Sequence, residues 1–413
     1  MRSGLQKLIS SGFIHVFSAN IVSQLVAFSG SIIYIHLLGP HQFGIYAFAY
    51  TIITFFLLLN GFGAASGILQ FVSKANNEIT ALSYLKYAMY LGVLFNCGLS
   101  IGIFLYVLLI PIPISGAKPI LCAMAFFPIG RLYIDVYQAY LRATLQNRLL
   151  AKFSISANLI LLISNIIGII WAQLLGLVIA TYVSYTIIIF IATFGYKMPN
   201  VFTLKADTIN RSEFVHYSIY VTLGNAFAQL LFILDIIILG YIVKDAAKVA
   251  EYKVATVIPF AINFIPGVVS TFFYPYFAKN ANNLLYVKQL KHNLQKWMFI
   301  FSFIISALLI ILAKPIITIV FGANYNESII PFQILSFGFW ILATFRNING
   351  NILASLGKAK FAMWLNVAIV SINIILTYFL VLYFGIIGAS IGVVAIYILS
   401  SACAAAALNR LLR

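Results

Sequence analysis

The sequence predicts an all-α integral membrane protein of about 12 transmembrane helices, built as two pseudo-symmetric six-helix bundles. Three observations lead there. The 413 residues are 63% hydrophobic and 8% charged, whereas a soluble domain carries about a quarter charged residues. Apolar stretches of roughly 20 residues, the thickness of a hydrocarbon core, recur along the whole chain. Within lipid each stretch must satisfy its own backbone hydrogen bonds, which makes it a helix. Finally, the rarer polar residues of the first half reappear in order in the second.

The first span, about 13–38, follows Arg2 and Lys7 and is too long for the core of a cleavable signal. It carries Asn20 and Gln24, four apart and so on one helix face. Spans two and three cover about 44–72 and 84–110. The fourth, about 118–141, holds Pro128, Arg131 and Asp135. An arginine at mid-span costs about 2.5–3.5 kcal/mol on insertion scales, so it should have a use. Asp135 is one turn on and can pair with it. Two readings stay open: a self-neutralised structural pair, or an anion site whose resting partner is Asp135. Spans five and six cover about 153–172 and 174–195.

The polar stretch 196–215 is the natural seam, giving bundles of residues 1–205 and 206–413. Span seven, about 216–242, carries Asn225 and Gln229, then Asp235 with no local partner. Asp235 is a candidate coupling-ion site or the partner of an arginine on another helix, because a buried charge needs neutralising. Span eight, about 254–277, is interrupted by Pro259, Pro266 and Pro275. Each proline frees the carbonyl four residues back, so Pro259 and Pro266, like Pro128, are candidate hinges. Spans nine to twelve cover about 297–320, 329–351, 361–383 and 386–408. Arg346 lies near the end of the tenth, where it either snorkels outward or lines a cavity.

The halves align at offsets that rise slowly. Asn20, Gln24 and Leu25 match Asn225, Gln229 and Leu230 at 205; Tyr46 and Gly61 match Tyr252 and Gly267 at 206; Pro119, Gly176 and Tyr185 match Pro331, Gly388 and Tyr397 at 212. An even number of spans per half gives both copies the same orientation, an arrangement used by transporters with a site between the halves. The amide pairs read either as helix–helix glue or as cleft-lining groups for sugar hydroxyls.

Lys118, Lys244, Lys248, Lys253 and Lys314 fall on one side of the membrane, and Arg131 and Arg346 fall inside spans. The other 18 of the 25 basic residues lie on the opposite side, which is therefore cytoplasmic and holds both termini. The net charge of +17 thus reflects orientation rather than nucleic-acid binding. Cys97, Cys122 and Cys403 lie within spans and read as buried packing residues. No Walker A pattern, catalytic triad or metal-ligand cluster is evident, so a non-enzymatic protein without cofactor or metal is expected.

Several segments resemble the O-antigen and polysaccharide repeat-unit flippases of the multidrug/oligosaccharidyl-lipid/polysaccharide exporter superfamily. They are Leu38-Gly39-Pro40-His41-Gln42-Phe43-Gly44-Ile45-Tyr46, Asn60-Gly61-Phe62-Gly63, Leu239-Gly240-Tyr241, Phe321-Gly322-Ala323-Asn324-Tyr325 and Phe384-Gly385-Ile386-Ile387-Gly388-Ala389. The resemblance implies a V-shaped, MATE-like pair of bundles in a bacterial inner membrane. It implies alternating access that carries undecaprenyl-diphosphate-linked oligosaccharide from the cytoplasmic to the periplasmic leaflet. An O-antigen polymerase and a chain-length regulator would be partners. Arg131, with Arg346, would hold the diphosphate, and Asn20, Gln24, Asn225 and Gln229 the sugars. The alternative is an ion-coupled multidrug exporter of the same superfamily, for which Asp135 and Asp235 are suitable residues. A lipid II flippase would be expected to carry more spans and several cavity arginines. A glycan polymerase would need a long periplasmic loop, which the sequence lacks.

Overall fold

The computed structural model describes residues 13–199 and 209–412. Arg2, Lys7, Lys205 and Arg413 lie outside the described residues, as does the expected boundary between residues 205 and 206. Every element among the described residues is helical.

In chain order, α1 (Phe13–Leu57) is broken at Gly39, whose φ is 69°. A short turn, Asn60–Gly63, with left-handed Gly61 and Phe62, leads into α2 (Ala64–Phe71). α3 (Glu78–Leu109) starts at Asn77, whose side chain accepts the Thr80 N–H at 2.7 Å, a standard N-cap. α4 (Ala117–Met124) and α5 (Phe127–Ala143) meet at 46°. Pro128 occupies the first turn of α5, where its missing N–H has no helical partner to lose. α6 (Asn147–Phe190) is broken at Ala172 and Gln173. α7 (Arg211–Leu230) and α8 (Leu234–Val243) meet at 53°. α9 (Ala246–Ile262) contains Pro259 and ends at Asn263, where α10 (Phe264–Lys279) begins. α11 (Leu284–Ile311) is capped by Asn283, which accepts the Tyr286 N–H. It therefore starts well before residue 297, and the segment bearing Lys288, Lys291 and Lys296 is helix, not loop. α12 (Ile329–Ile341), a π-turn (Leu342–Arg346), α13 (Asn347–Ser355) and α14 (Ala359–Leu411) complete the chain.

Among the described residues, seven helices are long and apolar enough to cross a membrane, or up to nine if each bent pair is one span. Three of the seven run for 57, 49 and 51 residues, and these contain the breaks at Gly39, Gln173 and Gly385. One crossing needs about 20 residues. At Gln173 the chain doubles back. A Cβ on Gly176 would lie 1.8 Å from the Gly168 carbonyl oxygen, and Thr181 donates to Asn165 at 3.0 Å. A straight helix would hold residues 165 and 181 about 24 Å apart. Gly385 does the same: a Cβ on Gly388 would lie 1.9 Å from the Leu380 oxygen.

These backbone events repeat at the offset of 212 that aligns Gly176 with Gly388. Gln173 (φ 50, ψ −126) is the counterpart of Gly385 (φ 54, ψ −130). Leu145 (φ 57) is the counterpart of Gly357 (φ 77). After α5, Thr144, Leu145 and Gln146 donate to Tyr140, Arg142 and Leu141. After α13, Leu356, Gly357 and Lys358 donate to Ile352, Ala354 and Leu353, the same three bonds 212 residues on. This left-handed C-cap satisfies the last carbonyls of both helices. The duplication is thus written in backbone conformation as well as in residue identity.

The chain divides into two compact units. One comprises Met1–Leu38, Ala49–Ile112 and Gly116–Ala226; the other comprises Gly39–Phe48, Pro113–Ser115 and Phe227–Arg413. In the first, α2, α3, α5 and α6 pack around Ile68, Leu85, Leu132, Val136 and Phe153. Phe214 of α7 stacks on Tyr84 at 5.8 Å and sits against Gly67, where a Cβ would come within 2.5 Å of its ring. In the second, Phe339, Ile348, Ile352 and Leu408 form one cluster, and Leu231, Leu234, Ile369 and Ile396 another. The cysteines differ from expectation: Cys97 is exposed, and Cys122 and Cys403 are only half-buried. Lipid is as apolar as a protein interior, so a thiol gains nothing from an inward position.

Candidate functional site

Helix α5 places Arg131, Ile134, Gln138 and Arg142 at successive three- and four-residue steps, and so along one face. That face forms one wall of a cleft within the first unit. Ala19, Asn20 and Ser23 of α1 form the second wall, and Leu150, Ser154, Ala157, Asn158 and Leu161 of α6 the third. The cleft encloses about 640 Å³, its open mouth included, within the usual range for small-molecule sites. Gln138 donates to the Ser154 hydroxyl at 3.2 Å. Asn158 donates to the Ser23 hydroxyl at 3.1 Å and to the Ser154 carbonyl at 2.8 Å. The lining contains two arginines and no carboxylate.

Arg131 Nε lies 3.0 Å from Asp135 Oδ1, with side chains 44% and 28% exposed. The arginine precedes the acid at this spacing, the less favourable order for a helical pair. The contact to Asp135 runs through Nε, so an anion can still grip the remaining guanidinium donors bidentately.

Asp135 is held from behind. Asn60 donates to its Oδ2 at 2.9 Å, and Asn96 donates to Asn60 Oδ1 at 2.7 Å. Asn96 is fully buried. It also donates to the Pro128 carbonyl at 2.7 Å and accepts the Gly61 N–H at 2.8 Å. A chain of amides thus ties the ion pair to the Asn60–Gly63 turn and to the start of α5. Glycines at 61 and 92 make room for it: a Cβ at either would come within 2.8 Å of Leu132.

Of the amide pairs, Asn20 lines the cleft, while Gln24 lies one turn on and outside it. Asn225 and Gln229 are exposed on α7. In the second unit Asp235 is fully buried in the first turn of α8. It accepts from the Tyr252 hydroxyl and from the Ile236 N–H, so its partners are neutral donors rather than an arginine. Arg346 closes the π-turn, half-buried, with its guanidinium 5.6 Å from the centre of the Phe232 ring. Asn347 donates to Asn263 at 3.0 Å, at the break between α9 and α10 that Pro259 and Pro266 flank.

Sequence reasoning missed Gln138 and Arg142, although steps of seven and eleven from Arg131 would have found them. Asn60, Asn96, Ser154 and Asn158 come from distant segments and carry no local signal.

Residues 35–330, well over half of the chain, match the family of polysaccharide biosynthesis proteins. An uncharacterized membrane protein of Methanocaldococcus jannaschii is 33% identical over 180 residues. That match covers 42% of this chain and 35% of the relative, about a third of its length. Two solved structures share the fold. The lipid II flippase MurJ, in an inward closed conformation, superposes with a TM-score of 0.77 at 15% identity, over 96% of this chain and 87% of that one. An inward-facing multidrug resistance MATE family transporter of the MOP superfamily gives 0.73 at 15% identity, over 96% and 98%. The chain belongs to the polysaccharide biosynthesis protein family and has the fold of MOP-superfamily transporters.

Proposed function

We propose that the protein is a flippase that moves undecaprenyl-diphosphate-linked O-antigen repeat units from the cytoplasmic to the periplasmic leaflet by alternating access. The observation that carries this reading is the cleft of the first unit. Its Arg131 guanidinium is paired with Asp135 through Nε, leaving the other donors, and amides and hydroxyls line the same cleft. A polyprenyl tail stays in lipid while its headgroup crosses, and a bare diphosphate in hydrocarbon would be prohibitively unstable. An arginine fork removes much of that cost, and neutral amides suit sugar hydroxyls. The family match and the likeness to a lipid II flippase support the same class.

In this reading residues 1–205 and 206–413 are two six-helix bundles. Each of the three broken long helices crosses twice, giving twelve crossings with both termini in the cytoplasm of an inner membrane. Arg346 is a second diphosphate contact. Gln24, Asn225 and Gln229 contact sugar, Asp235 is the coupling site, and Pro128, Pro259 and Pro266 are hinges. The protein performs no covalent chemistry and hands its cargo to an O-antigen polymerase and chain-length regulator.

Arg131→Glu should abolish O-antigen surface display while the protein remains inserted, and Arg131→Lys should retain part of it. Normal display in Arg131→Glu refutes the assignment. One observation favours a second reading, an ion-coupled multidrug exporter: Asp235 is a fully buried carboxylate that takes its hydrogen bonds from the Tyr252 hydroxyl and the Ile236 N–H. Loss of the gene separates the two. A flippase defect accumulates unpolymerised lipid-linked repeat units on the cytoplasmic side, whereas an exporter defect changes drug tolerance only.

A further inference from the structure

Arg131 is not the only cation in the cleft. Arg142 lines it too, eleven residues further along the same face of α5, a rise of about 16 Å. It lies in the last turn of the helix, exposed, and has no carboxylate partner among the described residues. Between the two arginines the lining is neutral: Gln138, Ser154, Asn158 and Ser23, cross-braced by their own hydrogen bonds. The separation is about twice the screening length at physiological salt. A charge at Arg131 is therefore poorly felt by an anion in the cytoplasmic water, and one at the helix end is felt strongly.

We infer that Arg142 is a separate anion station at the mouth of the cleft. It captures the diphosphate of the lipid-linked saccharide first and passes it along the neutral amide face to Arg131. This rests on the flippase reading above and adds to it an order of events and a residue. The two arginines have different tasks. Arg142, free and exposed, governs capture. Arg131 must exchange Asp135 for the incoming phosphate oxygens and governs retention. The neutral stretch between them keeps the anion from being trapped midway, because amides and hydroxyls solvate phosphate without a full counter-charge.

The test measures binding of undecaprenyl diphosphate to the full-length protein in nanodiscs at several salt concentrations, with undecaprenol as the uncharged control. Arg142→Gln should slow association about tenfold at low salt, the scale of electrostatic steering. It should flatten the salt dependence and leave dissociation within about twofold of wild type. Arg142→Lys should restore the association rate, which separates a charge effect from misfolding. Arg131→Gln should show the converse, faster dissociation with nearly unchanged association. A wild-type association rate in Arg142→Gln overturns the inference, since Arg142 would then only orient the helix end. So does an equal slowing of association in both variants, since the arginines would then form one grip. Both results leave the flippase reading standing. If wild type fails to prefer the diphosphate over undecaprenol, the flippase reading itself fails.

Discussion

Asn96 is the residue whose removal should be felt most widely. Truncation to alanine strands the buried N–H of Gly61, which has Asn96 Oδ1 as its acceptor. An unsatisfied buried donor costs about 1–3 kcal/mol. The variant also loses two donations, to Asn60 Oδ1 and to the Pro128 carbonyl. Interhelical hydrogen bonds of this kind in membrane proteins average about 0.6 kcal/mol each. Together these give about 3 kcal/mol. For a cooperative unit of this size, each kcal/mol lowers the melting temperature by about 2–4 °C, so Asn96→Ala should melt roughly 6–12 °C below wild type. Intrinsic-fluorescence melting of the purified protein in detergent measures this directly. Asn60→Ala, at the partly exposed end of the chain, should cost only about 1 kcal/mol. In the double variant the Asn60–Asn96 bond is lost once rather than twice, so the combined loss should fall about 0.6 kcal/mol short of additive. A melting point for Asn96→Ala within about 2 °C of wild type would refute the network, because no fully buried amide with three partners can be that cheap to remove.

Two further pairs of substitutions test the duplicated backbone. Leu145→Gly should stabilise by about 0.5–1 kcal/mol. It relieves a left-handed residue, at the expense of some freedom in the unfolded chain. Gly357→Leu should do the reverse, and a shared sign for the two melting shifts would contradict their equivalence. Gly176→Ala and Gly388→Ala each place a methyl group within 2 Å of a carbonyl oxygen. Both should reduce the yield of monodisperse protein in size-exclusion chromatography, whereas Gly98→Ala, which meets nothing within 4 Å, should not. Normal yields from both hairpin variants would rule out these close approaches.

What the sequence revealed depended on the range of the interaction. Hydropathy is a local property, so the apolar stretches could be read off directly. The turn between residues 172 and 174 was legible only as a change of span. Its left-handed residue is Gln173, a residue type that signals nothing, and only its counterpart Gly385 carries the conformational hint. The Arg131–Asp135 spacing was legible because four residues make one turn. The amides behind it were not, since Asn60 reaches Asp135 from 75 residues away along the chain and Asn96 reaches Asn60 from 36. Asn20 and Gln24 show the limit of face arguments. Four residues bring a side chain back to nearly the same face but about 6 Å further along the axis, and the cleft ends within that distance.

The equivalence of the halves stops at the cleft. Under the offset of 212 that superimposes both C-caps and both hairpins, Arg131 corresponds to Ala343, Gln138 to Gly350, Arg142 to Ala354 and Asn158 to Val370. In every case a polar or charged group in the first half faces a small or apolar one in the second. Ala343 is fully buried in its own core cluster, so an arginine there would be packed among apolar side chains. Backbone conformation has been retained across the repeat because each hairpin and cap is needed to fold its own half. The polar side chains that line the cleft have not been retained with it. The second unit instead fully buries the carboxylate of Asp235, whose counterpart at 205 is Gly30. One half thus carries an arginine-lined cleft and the other a fully buried carboxylate. Two identical sites would hold the same ligand in the same way. In the flippase reading proposed above, two unlike ones would let the charge of the cargo and that of a coupling ion be handled on separate scaffolds of one design.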